Sequence, residues 1–148
     1  MRRVLEQELD SDEDDNYLFD GEPFEGFAEC REAGRVLYER EYRQGMIWGV
    51  SRGWFGSGRL KFEEGWGQGL LHGVRRRWEE EGRLLLEQEF EYGVRLWGKR
   101  WDAQGVQTED FSLSESAPSF EILETYRRAY EAAGIGMPRQ PNPRRDRE

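Results

Sequence analysis

Apolar and polar positions alternate with period two along most of the chain. Val36, Tyr38 and Tyr42 share one side of their segment. So do Val50, Arg52 and Trp54, then Leu60, Phe62 and Trp66, then Leu84, Leu86 and Phe90. Period two predicts half-buried β-strands rather than helices. The glycines between these runs fall in register. Gly21, Gly45, Gly69 and Gly93 are spaced by 24 residues, and Gly34, Gly58, Gly82 and Gly105 by 24, 24 and 23. Gly26, Gly49, Gly73 and Gly98 form a third series, and Trp54, Trp78 and Trp101 a fourth. A fixed period of this size signals a repeat array. Each unit reads as one hairpin. "EAGR", "GSGR" and "EEGR" place a glycine just before a strand, where a type I turn followed by a left-handed residue requires it. "RQGMIWG", "GQGLLHG" and "EYGVRLWG" read as longer connections between units, and short loops make neighbouring strands antiparallel.

The pattern changes after Phe111. "SLSESAPS" reads as a linker and "SFEILETYRRAYEAAG" as a helix over residues 119–133, with Ser119 as N-cap, Glu121 in the first turn and Gly134 as the stop. Phe120, Leu123, Tyr126 or Arg127, and Tyr130 trace its apolar stripe, which would cover the last strand or a sheet face. The expected fold is mainly β: a single-layer antiparallel hairpin meander of about four 24-residue units with a C-terminal helix. The boundaries follow: an acidic disordered leader at 1–16, the repeat sheet at 17–111, linker and capping helix at 112–135, and a disordered tail rich in Pro and Arg at 136–148.

Charge narrows the partners. The net charge is −9, and residues 1–31 hold three Arg against eleven Asp and Glu. An acidic chain disfavours nucleic acid and anionic membrane surfaces and suits a basic protein partner. No apolar run is long enough to span a membrane, and "MRRVLEQELD" lacks the apolar stretch of a signal peptide. Cys30 is the only cysteine, which excludes a disulfide framework and points to the cytoplasm.

Candidate chemistry is sparse. Glu39, Glu63, Glu87 and Asp110 each lie five residues after a turn glycine. Repeat-equivalent carboxylates share one environment, whereas acid–base catalysis needs divergent ones. They are expected to pair with neighbouring Arg or to form a solvated face. His72, the only histidine, is repeat-equivalent to Trp48 and Trp97 and has no nucleophile partner. The glycine-rich turns lack the helix that a phosphate or dinucleotide loop requires. No enzyme activity, cofactor or metal is expected. The tryptophan column and the Tyr38, Phe62 and Leu86 column read as core, with an aromatic binding strip as the alternative.

The segment "GVSRGWFGSGRLKFEEGWGQGLLHGVRRRWEEEGRLLLEQ" resembles the MORN-variant repeat, and the resemblance covers about residues 17–111. Trp78, Gly82, Arg83, Leu84 and Glu87 match its pattern, as do Gly58, Arg59, Leu60 and Glu63; the last unit departs by carrying Val106 where the Arg belongs. The resemblance implies a one-layer antiparallel repeat sheet. Proteins of this kind are often classed as YwqK-type antitoxins, which implies neutralisation of a partner protein by direct binding, with a structural or membrane-associated scaffold as the alternative. Glu39, Glu63, Glu87, Trp48, His72 and Trp97 are the expected partner contacts.

Overall fold

The computed structural model describes residues 1–139. Its strands are β1 (Arg2–Leu5), β2 (Asp10–Ser11), β3 (Tyr17–Phe19), β4 (Glu22–Pro23), β5 (Gly26–Glu32), β6 (Arg35–Arg43), β7 (Met46–Trp54), β8 (Leu60–Gly67), β9 (Leu70–Trp78), β10 (Leu84–Glu91), β11 (Val94–Trp101) and β12 (Gln107–Ser112), followed by one helix, α1 (Pro118–Ala133). An open nine-stranded sheet of β1 and β5 to β12 runs through the molecule. From β5 to β12 the strands lie side by side in chain order and every pair is antiparallel. β2, β3 and β4 form a small second sheet.

From Phe55 onward the two ends of the hairpins use different turns; the earlier "EAGR" turn, expected to be of the same kind as the other glycine–arginine turns, is instead a two-residue turn with Ala33 and Gly34 both at positive φ. Phe55–Arg59, Glu79–Arg83 and Asp102–Val106 close as expected. In the second, Gly82 N–H donates to the Glu79 carbonyl and Glu79 N–H to the Arg83 carbonyl, with Gly82 at φ +99°. The connections expected to be longer are instead two-residue turns. Gln44–Gly45, Gln68–Gly69 and Tyr92–Gly93 hold both residues at positive φ. That is the type I′ pattern, whose twist matches the strands it joins. The apolar residues on either side therefore belong to strands.

Successive units are stitched at both ends. At the type I′ end, Gly69 N–H donates to the Ile47 carbonyl (3.0 Å) and Gly93 N–H to the Leu71 carbonyl (2.7 Å). At the other end the arginine after each turn glycine reaches the next unit's turn. Arg59 donates to the Glu80 carbonyl (3.1 Å), Arg83 to the Ala103 carbonyl (2.6 Å), and Arg35 to the Gly56 carbonyl. Val106 occupies this position in the last hairpin, which has no further turn to clamp.

Three expectations are corrected. Residues 1–16 are not a disordered leader. β1 joins the sheet, and it does so parallel to β5, so one pair departs from the antiparallel rule. Val4 enters a core with Phe24, Ala28 and Tyr42, packed by Leu9, Tyr17, Phe19 and Ile47. The acidic loop is tied by Asp12, whose Oδ1 accepts from the Asp14 and Asn16 amides at 2.9 Å each. The backbone N–H of Asn16 chiefly holds this carboxyl below the usual range. Second, α1 starts from Ala117 with Pro118 in its first turn, not from a Ser119 cap. Proline there loses no helical bond. Gly134 ends the helix at φ +67°, as expected. Third, of the two columns read as core, Trp54, Trp78, Trp101, Tyr38 and Phe62 are half-buried and only Leu86 is buried. The helix docks on the β10–β11 turn. Tyr126 stacks on Tyr92 at 6.1 Å, Tyr130 meets Tyr92 edge-on at 4.7 Å, and Leu123 is fully buried. Of the tail expected to be disordered, Met137 lies over Gly67, and residues 140–148 lie outside the described residues.

Phe62 spreads its ring across Gly53 on the neighbouring strand, where an added Cβ would overlap the ring. Gly53→Ala is expected to cost about 1–3 kcal/mol, the usual penalty of overpacking. Gly56→Ala, in open space, is the matched control and should change urea-unfolding stability by less than about 0.5 kcal/mol.

Candidate protein-binding surface

The strand registers convert the repeat into a row of charges. Glu39 stands opposite Arg52, Arg52 opposite Glu63, Glu63 opposite Arg76, Arg76 opposite Glu87, Glu87 opposite Lys99, and Lys99 opposite Asp110. Seven strands thus carry one side chain each on one face, with the sign alternating at every step. Directly opposite side chains are about 4.5–5.5 Å apart at Cβ, where opposite charges stabilise and like charges destabilise. Arg76 closes on Glu87 at 2.9 Å and Arg52 faces Glu63 at 3.8 Å.

The alternation fails once, where Glu29 stands opposite Glu39. Arg3, from the parallel strand β1, bridges both carboxylates at 3.3 and 3.0 Å, and Arg31 adds a 2.6 Å contact to Glu29. Arg3 thus sets a cation against the two opposed carboxylates. The acidic column is therefore built into a cross-strand network, the first of the two roles expected for it.

Trp54 and Trp78 lie two residues from Arg52 and Arg76 on the same strands, and Trp101 two from Lys99. Side-chain alternation puts all three on the ladder face. Tyr38, Phe62 and Leu86 belong to the opposite face, interleaved with Gly53, Arg77 and Arg100. That face is the more closely packed and polar within: Ser51, Glu64 and Gln88 are buried, and Arg75 faces Glu64 at 3.4 Å. Desolvation holds the Arg75 guanidinium below its ordinary range.

The structure separates the expected partner contacts. Glu39, Glu63 and Glu87 share the ladder. Trp48 lies under the Arg43 guanidinium at 4.9 Å. Trp97 is only 8% exposed and offers little surface. His72 serves the fold: its Nδ1 accepts from the Tyr92 amide at 3.1 Å, and its ring meets Tyr92 edge-on at 5.1 Å. Tyr92 has φ +49°, unfavourable for a bulky residue; the histidine and the two helix tyrosines hold it there. Arg127, bidentate on Glu91 at 2.7 Å through both nitrogens, locks the helix to the same hairpin. The feature that repeat reading missed is the cation row Arg52, Arg76 and Lys99. Its signal is present in the chain, because these positions recur at 24 and 23 residues.

Among the described residues no helix is long and apolar enough to cross a membrane, and no group of three or more His, Cys, Asp and Glu could hold a metal ion.

Burial lowers the His72 pKa below its ordinary 6.5, against an opposing effect of Glu91. The imidazole is neutral in the fold and its acceptor bond requires that form. Its contribution is complete above pH 6.5 and is lost as pH falls through the depressed folded value. His72→Asn, whose Oδ1 can accept in place of Nδ1, is expected to lose less stability than the wild type between about pH 7 and 5.5, measured by urea unfolding at each pH. Parallel curves would contradict this assignment. No family model matches the chain, nor does any characterised protein or solved structure.

Proposed function

We propose that the chain is a non-enzymatic repeat protein that binds and masks a partner protein, in the manner of an antitoxin or immunity protein, through the face that carries the ladder. The observation that carries this reading is the tryptophan row. Trp54, Trp78 and Trp101 are partly exposed along one face, each beside a cation of the ladder. Tryptophan and arginine dominate binding energy at protein interfaces. Nine strands about 4.8 Å apart and about 20 Å long give one face about 800 Å², one partner's share of a standard interface. The likeness of the Gly–Arg–Leu turns to the MORN-variant repeat supports the same class.

The sign of the partner follows from where the charge lies. Residues 1–31 hold three Arg against eleven acids, a net of −8 out of −9 for the whole chain. The rest of the chain is nearly neutral, with its ladder acids matched by cations. Attraction to a basic partner therefore comes from the N-terminal cap, and the tryptophans supply apolar contact. Electrostatic steering of this kind speeds association and weakens with salt.

The test is capture of a partner from the native host, followed by titration at low and high salt. Trp78→Ala is expected to weaken binding at least tenfold in a protein that stays folded, with a melting temperature lowered only as far as the partial burial of the ring requires. Loss of stability with unchanged affinity would return the tryptophan to the core. Binding to lipid vesicles with no protein recovered would favour the scaffold alternative.

A further inference from the structure

The ladder ends at an open edge. β12 pairs with β11 on one side, and among the described residues no strand pairs with its other side. Leu113 N–H donates to the Leu96 carbonyl at 2.8 Å, which fixes the phase of bonding. In an antiparallel ladder alternate residues bond to the partner strand. Glu109 and Phe111 therefore bond inward, while Asp110 and Ser112 direct their N–H and carbonyl groups outward; Thr108 is the extra residue of a bulge, where the pairing steps from Glu109 to Gln107. Asp110 and Ser112 are exposed.

The edge is also selective by sign. β12 contains two acids and no cation. Exposed edges are commonly blunted by Lys, Pro or a bulge; this one lacks Lys and Pro, and its bulge at Thr108 leaves Glu109–Ser112 regular. Its inner neighbour shows what matches it: Lys99 stands opposite Asp110 on one face, while on the other Glu109 already takes Arg95 at 2.8 Å and Arg100 at 3.7 Å. The alternating row stops at Asp110, so the next position on that face calls for a positive charge.

We propose that the outer edge of β12 accepts an extended protein segment as an added strand, and that the segment presents a basic residue opposite Asp110. Backbone bonds to Asp110 and Ser112 supply the affinity, and the cation on the ladder face sets the register, as in strand addition generally. This site is an edge, separate from the tryptophan row, and stands or falls independently of it.

The probe is a labelled peptide with the β11 sequence, Val94–Trp101, against a control carrying Glu in place of Lys99 and Arg100. Binding is read by fluorescence anisotropy on the whole protein, and by amide exchange. The basic peptide is expected to bind and to slow exchange at Asp110 and Ser112, leaving Glu109 and Phe111 unchanged. Asp110→Pro removes an outward donor without removing a bond to β11 and should weaken binding at least tenfold. Asp110→Lys, which keeps that donor, should do the same and shift preference to the acidic control; it serves as the test if the proline variant fails to fold. Equal binding of both peptides, absence of protection at the two outward amides, or undiminished binding by the folded variants would overturn the proposal. Absence of peptide binding, with self-association appearing only in Asp110→Lys, would also overturn it and leave the acids as a guard against aggregation.

Discussion

Everything in this sheet depends on a register that does not drift. A repeat of fixed length joined by short turns places equivalent residues in the same column, so whatever one unit carries is repeated at every second strand. For a charged residue this is a hazard. Acids two strands apart are about 10 Å from one another, about one Debye length in physiological salt. The chain resolves it within the unit. The second strand of each hairpin carries the acid and the first strand of the next carries a cation, so Glu39, Arg52, Glu63, Arg76, Glu87 and Lys99 alternate. The same register lets one arginine per turn clamp the next turn's carbonyl, as Arg59 and Arg83 do.

A linear array must also be ended, because each unit is stabilised by its neighbours. The N-terminal end is closed by a small core of Val4, Phe24, Ala28 and Tyr42 and by Arg3, which neutralises the one place where two acids oppose. At the other end the helix locks the last long hairpin through Tyr126, Tyr130 and Arg127. Val106 marks the terminal unit, since the clamp has nothing left to hold. The polar cap carries almost all of the molecule's net charge and the sheet almost none.

The repeat, the strands and the helix are legible because each leaves a periodic trace: glycines at 24 residues, alternation on Tyr38 and Phe62, and a stop at Gly134. What the sequence conceals depends on non-local contact. Nothing local in "MRRVLEQELD" indicates a parallel strand; its contacts are non-local, with Val4 in the core beside Phe24 and Tyr42 and Arg3 on Glu29 and Glu39, 26 and 36 residues away. The two-residue turns at Gln44, Gln68 and Tyr92 are hidden because non-glycine residues at positive φ are uncommon. The acidic column is visible and suggests either pairing with neighbouring Arg or a solvated face; the registers decide between them by placing Arg52, Arg76 and Lys99 between its members. The tryptophan row is recognisable as a column, while its half-exposure depends on which face packs more closely.

The continuous ladder can be separated from a set of independent ion pairs by one charge-swap series at Arg76 and Glu87, read by urea unfolding at low salt. In an isolated pair, Arg76→Glu and Glu87→Arg each create one repulsion and the double variant restores the attraction. In a ladder the double variant sets its new carboxylate against Glu63 and its new guanidinium against Lys99. It then holds two like-charge contacts and one favourable contact, the same balance as either single variant. The account predicts that all three variants lose similar stability, on the order of 1–2 kcal/mol from cross-strand pairs, and that the loss shrinks as salt rises. Recovery of wild-type stability by the double variant would contradict it.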